Sequence, residues 1–229
     1  MSRKAGILLP IFSLPSEYGI GTLGRAAYRW VDFLNDAHQK LWQVLPVGPT
    51  SYGDSPYQSF SAFAGNPYFI DLELLCDQKL LTKDECAAIQ WEYTSKKIEY
   101  KILYDNRFSL LRKAYQRYPM NQSLNEFIKE NAWAHDYALF MAVKDSQMGK
   151  SWQEWPELLR NRNLEALAKA DRDYHDDILF YAFLQKVFFE QWENLKQYAN
   201  AKDVQIVGDI PIYVALDSAD VWAHQEYFN

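Results

Sequence analysis

The stretch GDSPYQSFSAFAGNPYFIDL, residues 53–72, carries five aromatic rings, three serines and two prolines, and no basic residue. Gly53, Pro56, Gly65 and Pro67 interrupt any regular element, so the stretch is predicted to be a long loop. A pyranose ring offers apolar C–H faces edged by hydroxyls, and binding one calls for flat aromatic surfaces beside carboxylate, amide and hydroxyl groups. Tyr52, Tyr57, Asp54, Ser55 and Gln58 provide that mixture. Phe60, Phe63, Tyr68 and Phe69 have the simpler task of pinning the loop to the core.

A second candidate is Asp209 in GDIP, which follows the apolar residues Ile206 and Val207 and precedes Pro211. A carboxylate at the C-terminal end of a barrel strand points into the mouth where active sites are built. Two other motifs resemble sites and fail on context. GIGTLG, residues 19–24, spells a dinucleotide fingerprint, but SLPSEY separates it from the preceding apolar run and no acid ends the next strand. DRDYHDD, residues 171–177, gathers carboxylates and a histidine, yet its spacing is wrong for a calcium loop, and acids in the first turn of a helix complement its dipole. His38, His135 and His224 stand apart from any nucleophile signature. No cofactor and no metal is expected.

A net charge of -6 argues against nucleic acid or an anionic membrane as partner, since either needs a concentrated positive field. The most apolar run, ILFYAFLQKVFF, is broken by Gln185 and Lys186 and is far short of the roughly 20 residues that span a bilayer. Cys76 and Cys86 are the only cysteines, read as buried free thiols in a cytoplasmic protein. The aromatic content, 16 Tyr, 13 Phe and 8 Trp, suits a ligand with both polar and apolar character.

The elements that must position these residues follow from periodicity. AGILLPIF and LWQVLPV read as strands buried on both faces, joined by a helix through Ala27, Trp30, Val31 and Leu34. Residues 74–172 read as helical, with capping boxes at Thr82 to Glu85 and Ser123 to Glu126. A long amphipathic helix follows over 174–199, with Tyr181, Leu184, Phe188, Trp192 and Leu195 on one face, then the strand VQIVGDIPIYVA. Asp217 and Asp220 are candidate caps of a last helix. The expected fold is α/β, with 1–73 holding the first strands and the aromatic loop, 74–172 a helical insertion, and 173–229 a helix, the third strand and the start of the next helix. An insertion of that size between parallel strands suits an α/β barrel better than a small doubly wound sheet.

The stretches SLPSEYGIGTLG, WQVLPVGPTSYGDSPYQSFSAFAGNPYFIDL, NAWAHDYALFMAVK, WQEWPELLRNR and GDIPIYVALDSADVWA resemble, in that order, the N-terminal part of the amylomaltases, the 4-alpha-glucanotransferases or disproportionating enzymes. The resemblance implies an incomplete (β/α)8 TIM barrel of the alpha-amylase superclass with a large all-helical insertion. It implies a transferase acting on alpha-1,4-glucans and maltooligosaccharides by a retaining double displacement between two carboxyl groups roughly 5 Å apart. Ser55 and Tyr57 then match positions lining the donor side of the cleft, Tyr52 a nearby glucan-contacting tyrosine, and Asp209 an aspartate that binds the sugar at the bond being cut. The nucleophile and the acid/base are expected beyond Asn229, and this chain alone is expected to be inactive. A non-catalytic alpha-glucan-binding protein is the alternative reading, and a helical interaction module built on 74–172 is a weaker one.

Overall fold

The computed structural model describes residues 3–51, 53–91, 97–119 and 122–228. In chain order it contains β1 (Gly6–Leu8), α1 (Arg25–Asp36), β2 (Leu41–Gln43), α2 (Leu72–Asp77), α3 (Lys83–Ala87), α4 (Tyr100–Arg117) and α5 (Gln122–Glu130). Then come α6 (Ala132–Ser146), α7 (Glu157–Arg160), α8 (Leu164–Asp173), α9 (His175–Ala201), β3 (Gln205–Val207) and α10 (Ala219–Ala223). Among the described residues no helix is long and apolar enough to cross a membrane. The chain divides into two compact units, each assembled from separated stretches.

The first unit comprises residues 1–47, 66–119 and 187–210. Its sheet is parallel in the order β1-β2-β3, with Ile7 beside Trp42 and Trp42 beside Ile206. Trp42 is fully buried in the central strand, and its indole Nε1 donates to the Leu9 carbonyl at 2.8 Å. Burial on both faces is not found even there, since Gln43 in the same strand is exposed. Leu8 is 51% exposed and Val207 is also exposed, and with Gln43, which lies in register between them and is exposed too, they form one solvent-facing row across all three strands. Helix α1 buries Ala27, Val31 and Leu34 as its periodicity requires, whereas Trp30 is half-buried and stacks on the exposed Phe33.

The GIGTLG glycines serve packing. Gly24 is the N-cap of α1, and a Cβ there would lie 1.9 Å from Oδ2 of Asp71. That carboxylate is buried and committed: Thr22 Oγ1 donates to it at 2.6 Å, and the Leu74 N–H caps α2 on it at 2.9 Å. The backbone of Asp71 is paired as well, its N–H with Gln191 Oε1 at 2.7 Å and its carbonyl with Gln191 Nε2 at 3.3 Å. The capping box at Thr82 and Glu85 is present, and Arg117 grips the Glu85 carboxylate with both terminal nitrogens, holding its pKa down at about 2. Arg107 is buried and donates to the carbonyls of Tyr18 and Ile70; burial lowers its pKa to about 10, so it stays charged at neutral pH. Cys86 is buried and Cys76 partly so. Their sulfurs are 4.0 Å apart as free thiols, with burial pushing Cys86 up to about 12.

The second unit comprises residues 48–65, 120–186 and 211–229. Helix α6 is its axis, burying Ala134 and Tyr137 through Lys144. Phe140, Trp155 and Trp222 meet there with ring centroids 5.3 to 5.9 Å apart. The stretch of α9 within this unit is apolar nearly all round, since Phe180 to Leu184 are buried without interruption, and such a helix belongs inside a core. Ser123 is no N-cap, because α5 already includes Gln122. Asp176 and Asp177 occupy the first turn of α9, and among the described residues no cluster of three or more His, Cys, Asp or Glu is arranged to hold a metal.

Replacing Gly24 with Ala forces a methyl group into a hydrogen-bonded carboxylate that cannot retreat. Overpacking of this kind costs about 1–3 kcal/mol. Urea denaturation of Gly24→Ala is expected to show a midpoint lowered by that amount of stability; an unchanged midpoint would mean that the Asp71 node is not rigid.

Candidate functional site

The aromatic loop opens with a short antiparallel hairpin. Thr50 bridges to Ser59, and the Ser51 N–H donates to the Gln58 carbonyl at 3.0 Å. Inside it the Asp54 N–H reaches the Ser51 carbonyl at 3.2 Å and the Gln58 N–H the Ser55 carbonyl at 3.1 Å. This tight reversal needs two successive left-handed residues, Gly53 at φ +88° and Asp54 at φ +55°. Glycine takes that region without cost and aspartate better than most residues. Burial alone lifts the Asp54 carboxyl above its ordinary range.

After the hairpin the loop enters the core and every turn finds a polar partner. Ser61 Oγ accepts from the Phe63 and Ala64 N–H groups. Gln185 on α9 pairs with Gly65 as a peptide group would, accepting from its N–H at 2.7 Å and donating to its carbonyl at 3.0 Å. Asp220 accepts from the Ala62 N–H at 2.7 Å, and the Ala219 N–H donates to the Phe60 carbonyl at 2.8 Å. Helix α10 is capped by Ser218, whose hydroxyl accepts from Val221 N–H, so neither Asp217 nor Asp220 is its cap. Both are engaged elsewhere.

Of the four rings assigned to pinning, Tyr68 and Phe69 are buried and Phe60 is half-buried against Phe140. Phe63 is 59% exposed, because the turn built on Ser61 points it outward to stack on Trp133 with planes 17° apart.

A cavity of about 400 Å³ lies within the second unit. The hairpin supplies Ser51, Tyr57, Gln58 and Phe60 to its lining, and residues 213–217 supply the facing wall. Lys144 and Gly149 complete it. Tyr57 is 47% exposed. Ser55 sits at the hairpin tip, half-buried, with its Oγ near the Tyr57 N–H at 3.3 Å. Asp209 is half-buried in the first unit, two residues beyond the end of β3. Tyr52 lies outside the described residues.

Sequence reasoning overlooked Lys144 and Gln185. The available signal was the same for both: a polar residue ending or interrupting a long apolar helical run has to find a buried partner. Gln185 in ILFYAFLQKVFF and Lys144 in ALFMAVK each fit that description.

Comparisons with known proteins identify the family. A model of the 4-alpha-glucanotransferase family matches residues 9–229, and the chain belongs to that family. It is 48% identical over 221 residues to the 4-alpha-glucanotransferase of Clostridium butyricum, covering 95% of this chain and 45% of that protein. It is 44% identical over 236 residues to the Thermus thermophilus 4-alpha-glucanotransferase, covering 100% of this chain and 46% of that protein. The structure of amylomaltase from Streptococcus agalactiae in complex with acarbose superposes with a TM-score of 0.96 at 42% identity, covering 98% of this chain and 46% of that one. The chain thus spans under half the length of the relatives it matches.

The raised pKa of Asp220, caused first by burial and opposed by the Ala62 N–H, has a definite sign. The folded state favours the protonated acid, so its contribution to stability is present below the unfolded value near 4 and is lost as pH rises through the folded value. Asp220→Asn keeps an acceptor for Ala62 and removes the charge. Denaturant midpoints at a series of pH values are expected to show the variant gaining on the wild type as pH rises from about 4; a constant gap would contradict this.

Proposed function

We propose that this chain provides part of the alpha-1,4-glucan binding surface of a 4-alpha-glucanotransferase, an enzyme that moves glucan segments between maltooligosaccharides by a retaining double displacement. The observation that carries the reading is Tyr57, an exposed residue on the hairpin that lines a cavity whose wall also bears hydroxyl and amide groups. Stacking on a flat ring together with hydrogen bonds to Ser51 and Gln58 is what a sugar demands. The acarbose complex of the Streptococcus agalactiae amylomaltase supports a sugar ligand for the family. Ser55 belongs to the same surface in this reading; Tyr52 and Asp209 are assigned as further glucan contacts, Asp209 at the bond being cut.

The fold that suits this work is an incomplete (β/α)8 barrel, in which β1, β2 and β3 are the first three strands and residues 74–172 a helical insertion between the second and third. The parallel order β1-β2-β3 with helices in both crossovers supports it. No residue present is assigned as nucleophile or acid/base; both carboxyl groups are placed beyond Asn229. Two free thiols and no disulfide suit the cytoplasm.

Calorimetry of the 229-residue chain with maltoheptaose is expected to detect binding, and Tyr57→Ala to weaken it by about tenfold, the equivalent of ~1.4 kcal/mol of stacking. Equal affinity in the two proteins would remove the site. The same chain incubated with maltotriose is expected to release no glucose. Release would place the catalytic carboxyl groups within residues 1–229.

A further inference from the structure

The wall of the cavity formed by residues 213–217 has no regular secondary structure, and Tyr213, Val214 and Leu216 are exposed. Burial of apolar surface therefore contributes little to fixing it. What holds it is polar. Lys144, in the last turn of α6, has a side chain only 7% exposed, and its ammonium donates to Asp217 Oδ2 at 2.6 Å and to the Lys150 carbonyl at 3.1 Å. The other Asp217 oxygen accepts from the Trp152 N–H at 3.2 Å, and the Trp152 indole Nε1 donates to the Leu216 carbonyl at 2.7 Å. The same ammonium lies 5.1 Å from the centre of the Phe60 ring, on the hairpin side, and 5.6 Å from that of Phe140. One cation thus grips both walls, through a carboxylate on one and a ring face on the other.

We propose that Lys144 is a positioning residue that sets the width of this cavity, so that glucan affinity at Tyr57 depends on a side chain that need not touch the sugar. The inference rests on the reading of the cavity as an alpha-glucan site. Its ammonium has little freedom to serve as a sugar ligand, since two of its three protons are taken and rings lie close by. Removing the charge leaves Asp217 without its cation and releases the 213–217 wall from α6, while the ring cluster of Phe140, Trp155 and Trp222 keeps the unit folded.

The test uses the 229-residue chain with Lys144→Met, Asp217→Asn and the double variant. Three quantities are read: exchange of the Trp152 indole proton by NMR, maltoheptaose affinity by calorimetry, and thermal unfolding. Each single variant is expected to unfold cooperatively, to exchange the indole proton about tenfold faster and to bind maltoheptaose about tenfold more weakly. Because both substitutions break one bond, the double variant is expected to match the single ones within about twofold, whereas independent effects would multiply. Unchanged affinity in a folded single variant, or multiplied losses in the double, overturns the proposal. If a single variant does not fold, Lys144→Met with Asp217→Leu removes both charges and leaves no unpaired buried ion; it is expected to fold and to show the same weakened binding, and wild-type affinity in it overturns the proposal. A wild-type chain that binds no maltoheptaose overturns the sugar reading instead, and the indole exchange then decides by itself whether Lys144 holds the wall.

Discussion

A long loop that passes through a protein interior must satisfy every peptide group it carries, and this requirement organises the structure. Helix α9 meets it with two buried glutamines six residues apart, each bonding both the N–H and the carbonyl of one loop residue, Gly65 for Gln185 and Asp71 for Gln191. A primary amide can stand in for a neighbouring strand in this way because it has the donor and acceptor of a peptide unit at matching spacing. Leaving one such group unpaired costs about 1–3 kcal/mol, so a loop with no strand partner depends on these two side chains. The chain that follows the Tyr57 hairpin is anchored in this way at Gly65.

The same economy explains the acids. Sequence alone offers Asp217 and Asp220 as interchangeable cap residues, yet each has a separate partner, the ammonium of Lys144 and the Ala62 amide, while Asp71 caps α2 and accepts from Thr22. Where the acceptor is bonded to backbone or to a cation, the carboxylate is structural. Asp209 lies just past a strand end, and Ser55 lies at a hairpin tip where its hydroxyl accepts from the Tyr57 N–H.

Much of the architecture was legible. Strand positions followed from short apolar runs, α1 and α9 from periodicity, the α3 start from Thr82 and Glu85, and the loop from its prolines and glycines. Two-sided burial of β1 and β2 was misjudged because an apolar run reports what a strand is suited to, while exposure depends on what packs on each face. The outward turn of Phe63 was hidden for another reason: its direction is set by a serine hydroxyl two residues earlier, a bond that hydrophobic patterning does not register. Lys144 and Gln185 were legible in principle, as polar residues embedded in apolar helical runs, but their partners are distant in sequence. Residue type shows that a partner must exist, and only the fold shows which one.

The tip of the hairpin also limits how this surface can diversify. With Gly53 and Asp54 both in left-handed backbone, a β-branched or bulky residue at either place would carry a steric penalty whatever its chemistry. Side-chain chemistry is therefore free to vary at Ser55, Tyr57 and Gln58, where handedness imposes no restriction, while Gly53 and Asp54 are held to small or short polar types.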